Sequence, residues 1–431
     1  MFRFIILILT SLLLFSCQND DTPDLALITI EASESLYSAP DQIWRVSISD
    51  LGGNIMDTRP LVIGGTTELG AFINKKERPE KVHVHIIREN LIPDRESYFI
   101  ETFSEVNIGS SIVYNNSGKG TGFRTVKATA NLSNVTNPIS LQRNHSIVSA
   151  GINWVNSFNE DLNNPGQYTG SVLCNTGTPF SVYSAFRKET GPETYFWNFS
   201  NGVQENDTLR LTQTDYTEVT NSQEAALATT ITAWDFTIEG GADDIFYPIY
   251  EADGGAGFDK VAYFTPDGLF NQYHTKSRWR DEAGKTQDIS STSNEPKPFG
   301  EEAGFDITIQ DVGIQDFHFS TTGSLDYVTS SWSYLERINS ASKSISWNVH
   351  APATLSTGSL IMPTIPTDWT TDRTWPASAA FELYTCQATN ISWIDDYDKV
   401  IQYLSDYSQR LGSNERPALG EKIETVYPVI P

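Results

Sequence analysis

Short runs of alternating apolar and polar residues recur along the chain, and glycine, proline, asparagine or aspartate closes each run. Successive side chains of a β-strand point to opposite faces, so this alternation predicts short, half-buried strands joined by turns. In residues 43–49, for example, Trp44, Val46 and Ile48 fall on one face, and a glycine-containing turn at 50–54 follows. Helical periodicity is nearly absent. The sequence therefore predicts an all-β protein.

The length of 431 residues predicts two to three β-sandwich-like modules in tandem, because single domains seldom grow to this size. An Ig-like sandwich is predicted over residues 24–115, a second β-module over 123–220 and a C-terminal β-rich module over 221–431. Residues 116–122 are glycine-rich and polar, which predicts a linker. Residues 393–407 differ, since their apolar residues recur at roughly helical spacing and predict one short C-terminal helix.

The N-terminal segment has the pattern of a secretory signal peptide, with Arg3 followed by an apolar run of about twelve residues. A membrane-spanning helix would need about 20 residues. Residues 14–17, Leu-Phe-Ser-Cys, resemble the lipobox of bacterial lipoproteins, in which the cysteine receives a diacylglyceryl group and becomes the mature N-terminus. The resemblance implies a lipoprotein signal peptide over 1–16, lipidation of Cys17 and a tether over 17–23. The alternative is an ordinary secretory signal with an incidental cysteine.

Two properties of the chain predict its cellular location. Residues 18–21, Gln-Asn-Asp-Asp, resemble the acidic export signal that sends such lipoproteins to the outer face of the outer membrane. The formal net charge of −25 argues against nucleic acid as a partner and against a basic patch on anionic lipid. We therefore expect an outer-membrane protein that faces the cell exterior and meets the membrane through the lipid on Cys17.

Two longer stretches carry a family resemblance. Trp44–Asp50 with its glycine-rich turn, followed by Glu101–Ser110, resembles the leading β-domain of uncharacterised Bacteroidetes surface lipoproteins of the Flavobacteria type. That domain is similar to Ig-like or carboxypeptidase-regulatory-like sandwiches. Ser320–Leu335 and Ser346–Pro366 resemble the C-terminal portion of the same proteins. The resemblance implies a β-rich architecture and a surface location, and it carries no activity.

Four residues are candidate metal ligands. His83 and His85 are two apart on a predicted strand, so both imidazoles share a face and could meet one Zn²⁺ if a third ligand lay near. The alternative is the solvent-facing side of a half-buried strand. Asp253 and Asp259 bracket a glycine-rich loop whose oxygens could hold Ca²⁺, although the spacing is not that of an EF-hand. Solvated turns are the alternative there. No other cofactor is predicted.

Three tryptophans in polar or proline-rich contexts, Trp279, Trp369 and Trp375, predict exposed loop positions. Exposed Trp rings stack on the apolar faces of sugars, while neighbouring polar groups bond the hydroxyls. The alternative is that each ring plugs the end of a sandwich core.

Cys174 and Cys386 remain after lipidation, either as two free buried thiols or as a disulfide in an oxidising compartment.

The sequence lacks the nucleophile elbow, the H-E-x-x-H zinc motif, the C-x-x-C motif and the P-loop. It therefore predicts a cell-surface lipoprotein that binds an extracellular glycan or protein without catalysis. One alternative is a glycan-directed hydrolase, because such enzymes need only two carboxylates and the chain has 54 acidic residues. Another is a structural or assembly component of an outer-membrane protein complex.

Overall fold

The computed structural model describes the chain in segments separated by gaps. The described residues are 26–34, 36, 42–70, 79–115, 123–131, 146–149, 156–157, 159–160, 162–164, 167–175, 180–188, 194–204, 208–219, 222–227, 230–242, 245–299, 304–311, 313–314, 317–338, 341–353, 380–406 and 420–427. The predicted signal peptide over 1–16, the predicted lipidation site Cys17 with its tether over 17–23, and the predicted linker at 116–122 lie outside them.

Strands account for most of these segments. In chain order they are β1 (Ile28–Ala32), β2 (Gln42–Ser49), β3 (Ile55–Pro60), β4 (Thr66–Leu69), β5 (Lys81–Ile92), β6 (Arg95–Asn107), β7 (Ser111–Tyr114), β8 (Phe123–Asn131), β9 (Ser146–Ser149), β10 (Asn156–Ser157), β11 (Asn159–Glu160), β12 (Gln167–Asn175), β13 (Phe180–Lys188), β14 (Thr194–Val203), β15 (Thr208–Thr212), β16 (Thr217–Val219), β17 (Gln223–Ala226), β18 (Ile231–Ala242), β19 (Ile245–Gly255), β20 (Lys260–Tyr263), β21 (Gln272–Asp281), β22 (Thr286–Ser293), β23 (Asp306–Asp311), β24 (His318–Thr322), β25 (Tyr327–Ile338), β26 (Ala341–Pro352), β27 (Glu382–Ile391) and β28 (Gly420–Tyr427). A 3₁₀ turn spans Gln213–Asp215, and one α-helix, α1, spans Tyr397–Ser405 in the described part of the chain. The predicted all-β class and the short C-terminal helix are confirmed.

The alternation in residues 43–49 does form a strand and a turn. β2 pairs with β3 across the turn, where the Asp50 amide donates to the Asn54 carbonyl at 3.0 Å and Gly53 adopts a φ of 83°. Glycine enters this left-handed region without the steric cost that a side chain would bring. The Asp50 carboxylate accepts the Asn54 amide at 2.8 Å, which closes the turn.

The largest sheet among the described strands has twelve strands, in the order β19-β18-β21-β22-β28-β27-β25-β26-β6-β5-β2-β3. β26 and β6 pair in parallel, and the other neighbours pair antiparallel. Because β6 belongs to the predicted module 24–115 and β26 to the predicted module 221–431, the sheet is continuous between these two modules. The division of the chain into separate domains stays a prediction.

The two faces of this sheet are covered in different places. The side of the sheet that carries Val46, Phe103 and Glu424 is called the front face here. The side that carries Trp347 and Phe236 is called the back face. At β2, β5 and β6 the front face packs against the three-stranded sheet β4-β1-β7 and against α1. The back face packs against the β23-β24 hairpin near β25 and β26, and against β13, β14, β17 and β20 near β18 and β21. The front face at β18, β21, β22 and β28 carries polar side chains instead.

Helix α1 marks the boundary between the covered and the polar part of the front face. The Asp396 side chain caps its N-terminus by accepting the Lys399 amide at 2.8 Å. Val400, Ile401 and Leu404 are buried against the front core. This amphipathic pattern was the signal in the sequence that predicted the helix.

A buried polar network ties β6, β7, β25 and β26 together beside the helix. His350 contacts Thr329 Oγ1 through Nδ1 at 2.9 Å and Glu101 Oε1 through Nε2 at 3.2 Å. The Tyr114 hydroxyl donates to Glu101 Oε2 at 3.1 Å, and the Tyr397 hydroxyl donates to the His350 carbonyl at 2.7 Å. Because buried polar groups cost free energy when they lack partners, these contacts specify the pairing of the parallel strands.

Candidate ligand-binding groove

A groove of about 390 Å³ lies on the front face over β18, β21, β22 and β28. Its floor consists of two rows of side chains that cross the four strands at paired positions. The acidic row is Asp235, Arg278, Asp288 and Glu424. The basic row is Thr237, Lys276, Ser290 and Lys422.

The local sequence explains why the floor is polar. In β18, Trp234, Phe236 and Ile238 are buried in the back core, so Asp235 and Thr237 between them point to the front. β21 has the same arrangement, with Tyr273 and Trp279 in the back core and the long cationic side chains between them on the front. A sheet with one packed face and one solvated face produces this alternation.

The centre of the acidic row is an ion pair. Arg278 Nε donates to Asp288 Oδ1 at 2.6 Å, and Arg278 Nη2 lies 3.4 Å from Asp288 Oδ2. Burial raises the pKa of the Asp288 carboxyl, and the guanidinium offsets part of that increase. The hydrogen bond to Asp288 raises the pKa of Arg278, so the guanidinium keeps its charge. The ion pair of Arg278 and Asp288 therefore holds a hydrogen-bond donor and an acceptor at fixed positions on the groove floor.

Asp235 occupies the outer end of the acidic row. It pairs across the sheet with Arg278 on one side and with Asp253 on the other, and it makes no ion pair with any residue of the described segments. Partial burial raises the pKa of the Asp235 carboxyl, and the nearby Asp288 and Asp253 carboxylates raise it further against the effect of Arg278. A ligand cation at this position would relieve that repulsion.

The inner end of the basic row is tightly held. Lys422 Nζ donates to Glu424 Oε1 at 2.8 Å and lies 5.5 Å from the centre of the Tyr403 ring. Burial alone would lower the pKa of Lys422, but the carboxylate of Glu424 together with the hydroxyl groups of Tyr327 and Tyr403 outweighs burial and raises the pKa. Glu424 Oε1 also accepts Gln387 Nε2 at 2.5 Å. Both charges are therefore fixed in place by several contacts.

An aromatic wall borders the floor where α1 crosses the sheet. Tyr403 belongs to the helix, and the half-buried Trp393 precedes it. Rings provide a large rigid contact area, and the rows of donors and acceptors beside them supply orientation. Sugars combine apolar ring faces with hydroxyl groups, so this pairing of surfaces suits a saccharide.

The predicted histidine pair lies elsewhere, on the back face of β5. The two rings do share a face, with their centres 6.4 Å apart. His85 is only 2% exposed, with Nε2 2.9 Å from Ser49 Oγ and Nδ1 2.9 Å from Thr102 Oγ1. The solvent-facing alternative is therefore wrong for His85, because the back face is packed here as well as the front face.

The candidate acidic ligands Asp253 and Asp259 lie in different kinds of local structure. Asp253 lies within β19 and not in a loop, which corrects the sequence-based expectation, whereas Asp259 lies in the turn before β20. Within the segments that the structure describes, no three His, Cys, Asp or Glu side chains form a metal-binding group. Zinc at the histidines and calcium at the acids stay predictions.

Burial of the histidines predicts an acid-sensitive fold. Burial lowers the pKa of both His83 and His85 below the ordinary value of 6.5, so each takes up a proton at a lower pH in the folded protein than in the unfolded chain. As pH falls below 6.5, the unfolded chain gains protons that the folded chain does not, and stability decreases by up to about 1.4 kcal/mol per pH unit for each histidine. Urea unfolding at pH 7.5 and 5.5 measures this decrease. The His85→Gln variant should show a smaller decrease, and an unchanged decrease would contradict the assignment.

The structure tests the predicted loop position for one of the three tryptophans. Trp279 lies in β21 and is 7% exposed, with its ring 5.9 Å from that of Phe299, so its predicted loop position is wrong. Trp369 and Trp375 lie outside the described residues.

Of the two remaining cysteines, Cys386 has a free, buried thiol, and burial raises the pKa of this thiol to about 12. The side chain of Cys174 lies outside the part of the chain that the structure describes.

The sequence contains a signal for the groove that the prediction missed. The stretch 276–282 has five basic and acidic residues around Trp279, and this polar context is what predicts a loop there. Its strict alternation of Lys276, Arg278 and Arg280 with Ser277 and Trp279 is instead that of a strand with one buried face. Such alternation in four strands would have indicated a polar sheet face, although not which strands are neighbours.

Two comparisons with known proteins, one with family models and one with curated sequences, found no match for this chain. No protein-family model matches it, and no curated protein matches it significantly. Among the residues that the structure describes, no helix has the length and apolar character required to span a membrane.

Proposed function

We propose that this protein is a lipoprotein of the outer membrane that binds an extracellular glycan in the front-face groove without catalysis. The observation that carries the proposal is the floor of paired charged and hydroxyl side chains beside the wall formed by Trp393 and Tyr403. The lipobox-like residues before Cys17 support the surface location, since the cysteine would carry the anchor.

The dimensions and chemistry of the groove support a saccharide. Its volume of about 390 Å³ falls within the range of about 300–1,000 Å³ that is usual for small-molecule sites. Ion pairs such as that of Arg278 and Asp288 hold donors and acceptors in fixed positions. Such preorganised groups orient a ligand with many hydroxyls at low entropic cost.

Removal of the aromatic wall tests the proposal. We expect Trp393→Ala to weaken glycan binding about tenfold, which corresponds to about 1.4 kcal/mol, because the stacking surface is lost. Isothermal titration of the full chain with glycans selected on an array measures the change. Tyr384→Ala is the matched control, since this ring is 73% exposed and is not part of the groove. Equal binding by the Trp393→Ala variant and the parent would contradict the proposal. Trp369→Ala and Trp375→Ala test the sequence-based prediction in parallel.

A glycan hydrolase is a second candidate, favoured by one observation. Asp235 and Asp288 flank Arg278 on β18 and β22, and burial raises the pKa of both carboxyls. Strands two apart lie about 10 Å from each other, and inverting glycosidases separate their carboxyl groups by about 6.5–9.5 Å. In that reaction, one acid would protonate the leaving oxygen while the other accepts a proton from the attacking water. Release of reducing ends that disappears in both Asp235→Asn and Asp288→Asn would favour hydrolysis.

A further inference from the structure

We propose that the glycan bound by the groove is zwitterionic, with an amino group that faces Asp235 and a carboxylate that faces Lys276. This inference rests on the proposed function, because it names the chemical class of saccharide that the same groove would hold.

The two rows of the floor carry opposite charge. The acidic row has three carboxylates and one guanidinium, whereas the basic row has two ammonium groups and two hydroxyls. Residues two apart on a strand are about 6.8 Å apart, so the rows run side by side at that distance. A ligand lying across both rows would therefore meet a negative and a positive region about one sugar ring apart.

Internal ion pairs neutralise most of these charges. Arg278 pairs with Asp288, and Lys422 pairs with Glu424. Asp235 and Lys276 are the charges of the floor that make no ion pair within the described segments. Both side chains are exposed, so they are available to a ligand.

Asp235 and Lys276 are diagonal neighbours on adjacent strands. Asp235 pairs with Arg278, and Lys276 is two residues before Arg278 on β21. Diagonal neighbours in an antiparallel pair are about 7–8 Å apart, which a lysine side chain can span. Asp235 and Lys276 nevertheless make no ion pair with each other in the described segments, so both charges are open to ligand groups. A ligand ammonium beside Asp235 and a ligand carboxylate beside Lys276 would give each of them a partner of opposite charge.

The neutral groups of the floor favour a saccharide over another zwitterion. Thr237 and Ser290 flank Lys276 in the basic row, so hydroxyl groups alternate with the charges. Hydroxyls of Thr and Ser both donate and accept hydrogen bonds, as the hydroxyls of a sugar do. The half-buried Trp393 adds the apolar contact that a pyranose face would use, and the Tyr403 ring behind it is 8% exposed.

A matched ligand series tests the inference. Four oligosaccharides of one backbone are compared by isothermal titration with the full chain: neutral, carboxylate only, free amine only, and both groups together. We expect the zwitterionic ligand to bind at least tenfold more tightly than the neutral ligand. We also expect that advantage to decrease as salt is raised from 50 to 500 mM, because exposed charge pairs are screened.

Charge-removing variants assign each ligand group to one residue. Asp235→Asn should abolish the preference for the amine and retain that for the carboxylate, and Lys276→Met should do the opposite. Glu336→Gln removes a carboxylate outside the groove, and it should change neither preference. Thermal unfolding is expected to be unchanged, since both groove side chains are exposed. Neutral and zwitterionic ligands of equal affinity would overturn the inference alone, whereas no binding by any of the four would overturn the proposed function as well.

Discussion

Trp347→Ala is expected to destabilise the fold by about 3–5 kcal/mol, the cost of removing a fully buried aromatic ring. Trp347 is 1% exposed on β26, and its ring packs against Phe381 at 6.2 Å. Its indole Nε1 donates to Thr102 Oγ1 at 2.9 Å across the parallel pair of β26 and β6. The substitution therefore leaves a cavity at the seam where the N-terminal strands join the rest of the sheet.

Two companion variants separate packing from hydrogen bonding. Trp347→Phe retains a six-membered ring but loses the N–H donor and part of the ring volume, so it should cost about 1–3 kcal/mol, less than Trp347→Ala. Leu335→Ala on the neighbouring strand β25 is the matched control, since Leu335 is 59% exposed and should change stability by less than about 0.5 kcal/mol. Urea unfolding followed by tryptophan fluorescence and by circular dichroism measures all three. A loss below about 1 kcal/mol for Trp347→Ala would contradict the packing described at this seam.

Local features of the fold could be predicted because they depend on neighbours in the sequence. The alternation in residues 43–49 predicted β2, and the helical spacing in residues 393–407 predicted α1. Both patterns are created by one buried face, and each can be recognised within a few residues.

The neighbours within the twelve-stranded sheet could not be predicted in the same way. The contact between Thr102 and Trp347 joins residues 245 positions apart, and no local pattern indicates that β6 and β26 pair. Burial of His85 follows from that pairing, since β26 places Trp347 against the same Thr102 hydroxyl that His85 contacts. A strand that is packed on both faces loses the difference between its sides that alternation detects.

The composition of the groove could not be predicted from the sequence for the same reason. Its acidic row takes single residues from β18, β21, β22 and β28, so Glu424 lies 136 positions after its neighbour Asp288. The alternation of each strand indicates a polar face, but the register alone decides that Asp288 stands between Arg278 and Glu424. Charge patterns that predict a ligand class appear only after the strands are ordered.

Cys17→Ser is expected to move essentially all of the protein from the membrane fraction to the soluble fraction. The proposed anchor is a thioether to diacylglycerol on the Cys17 sulfur, and serine lacks that sulfur. Each buried CH₂ of an acyl chain contributes about 0.8 kcal/mol, so two or three chains give stable anchoring. Intact mass of the purified protein measures the lipid directly, and fractionation of cells measures its effect.

Cys386→Ala is the matched control, because it removes a thiol at another position of the chain. Cys386 is buried in the folded protein, and burial raises the pKa of its thiol to about 12. It is not preceded by lipobox-like residues, so it is not a predicted lipid acceptor. This variant should keep both the lipid mass and the membrane location. Protease treatment of intact cells then tests the outward orientation, since an exposed protein is removed and an inward-facing one is protected. Membrane retention of the Cys17→Ser variant would show that the anchor is not on Cys17, and protection from protease would refute the outward-facing address implied by residues 18–21.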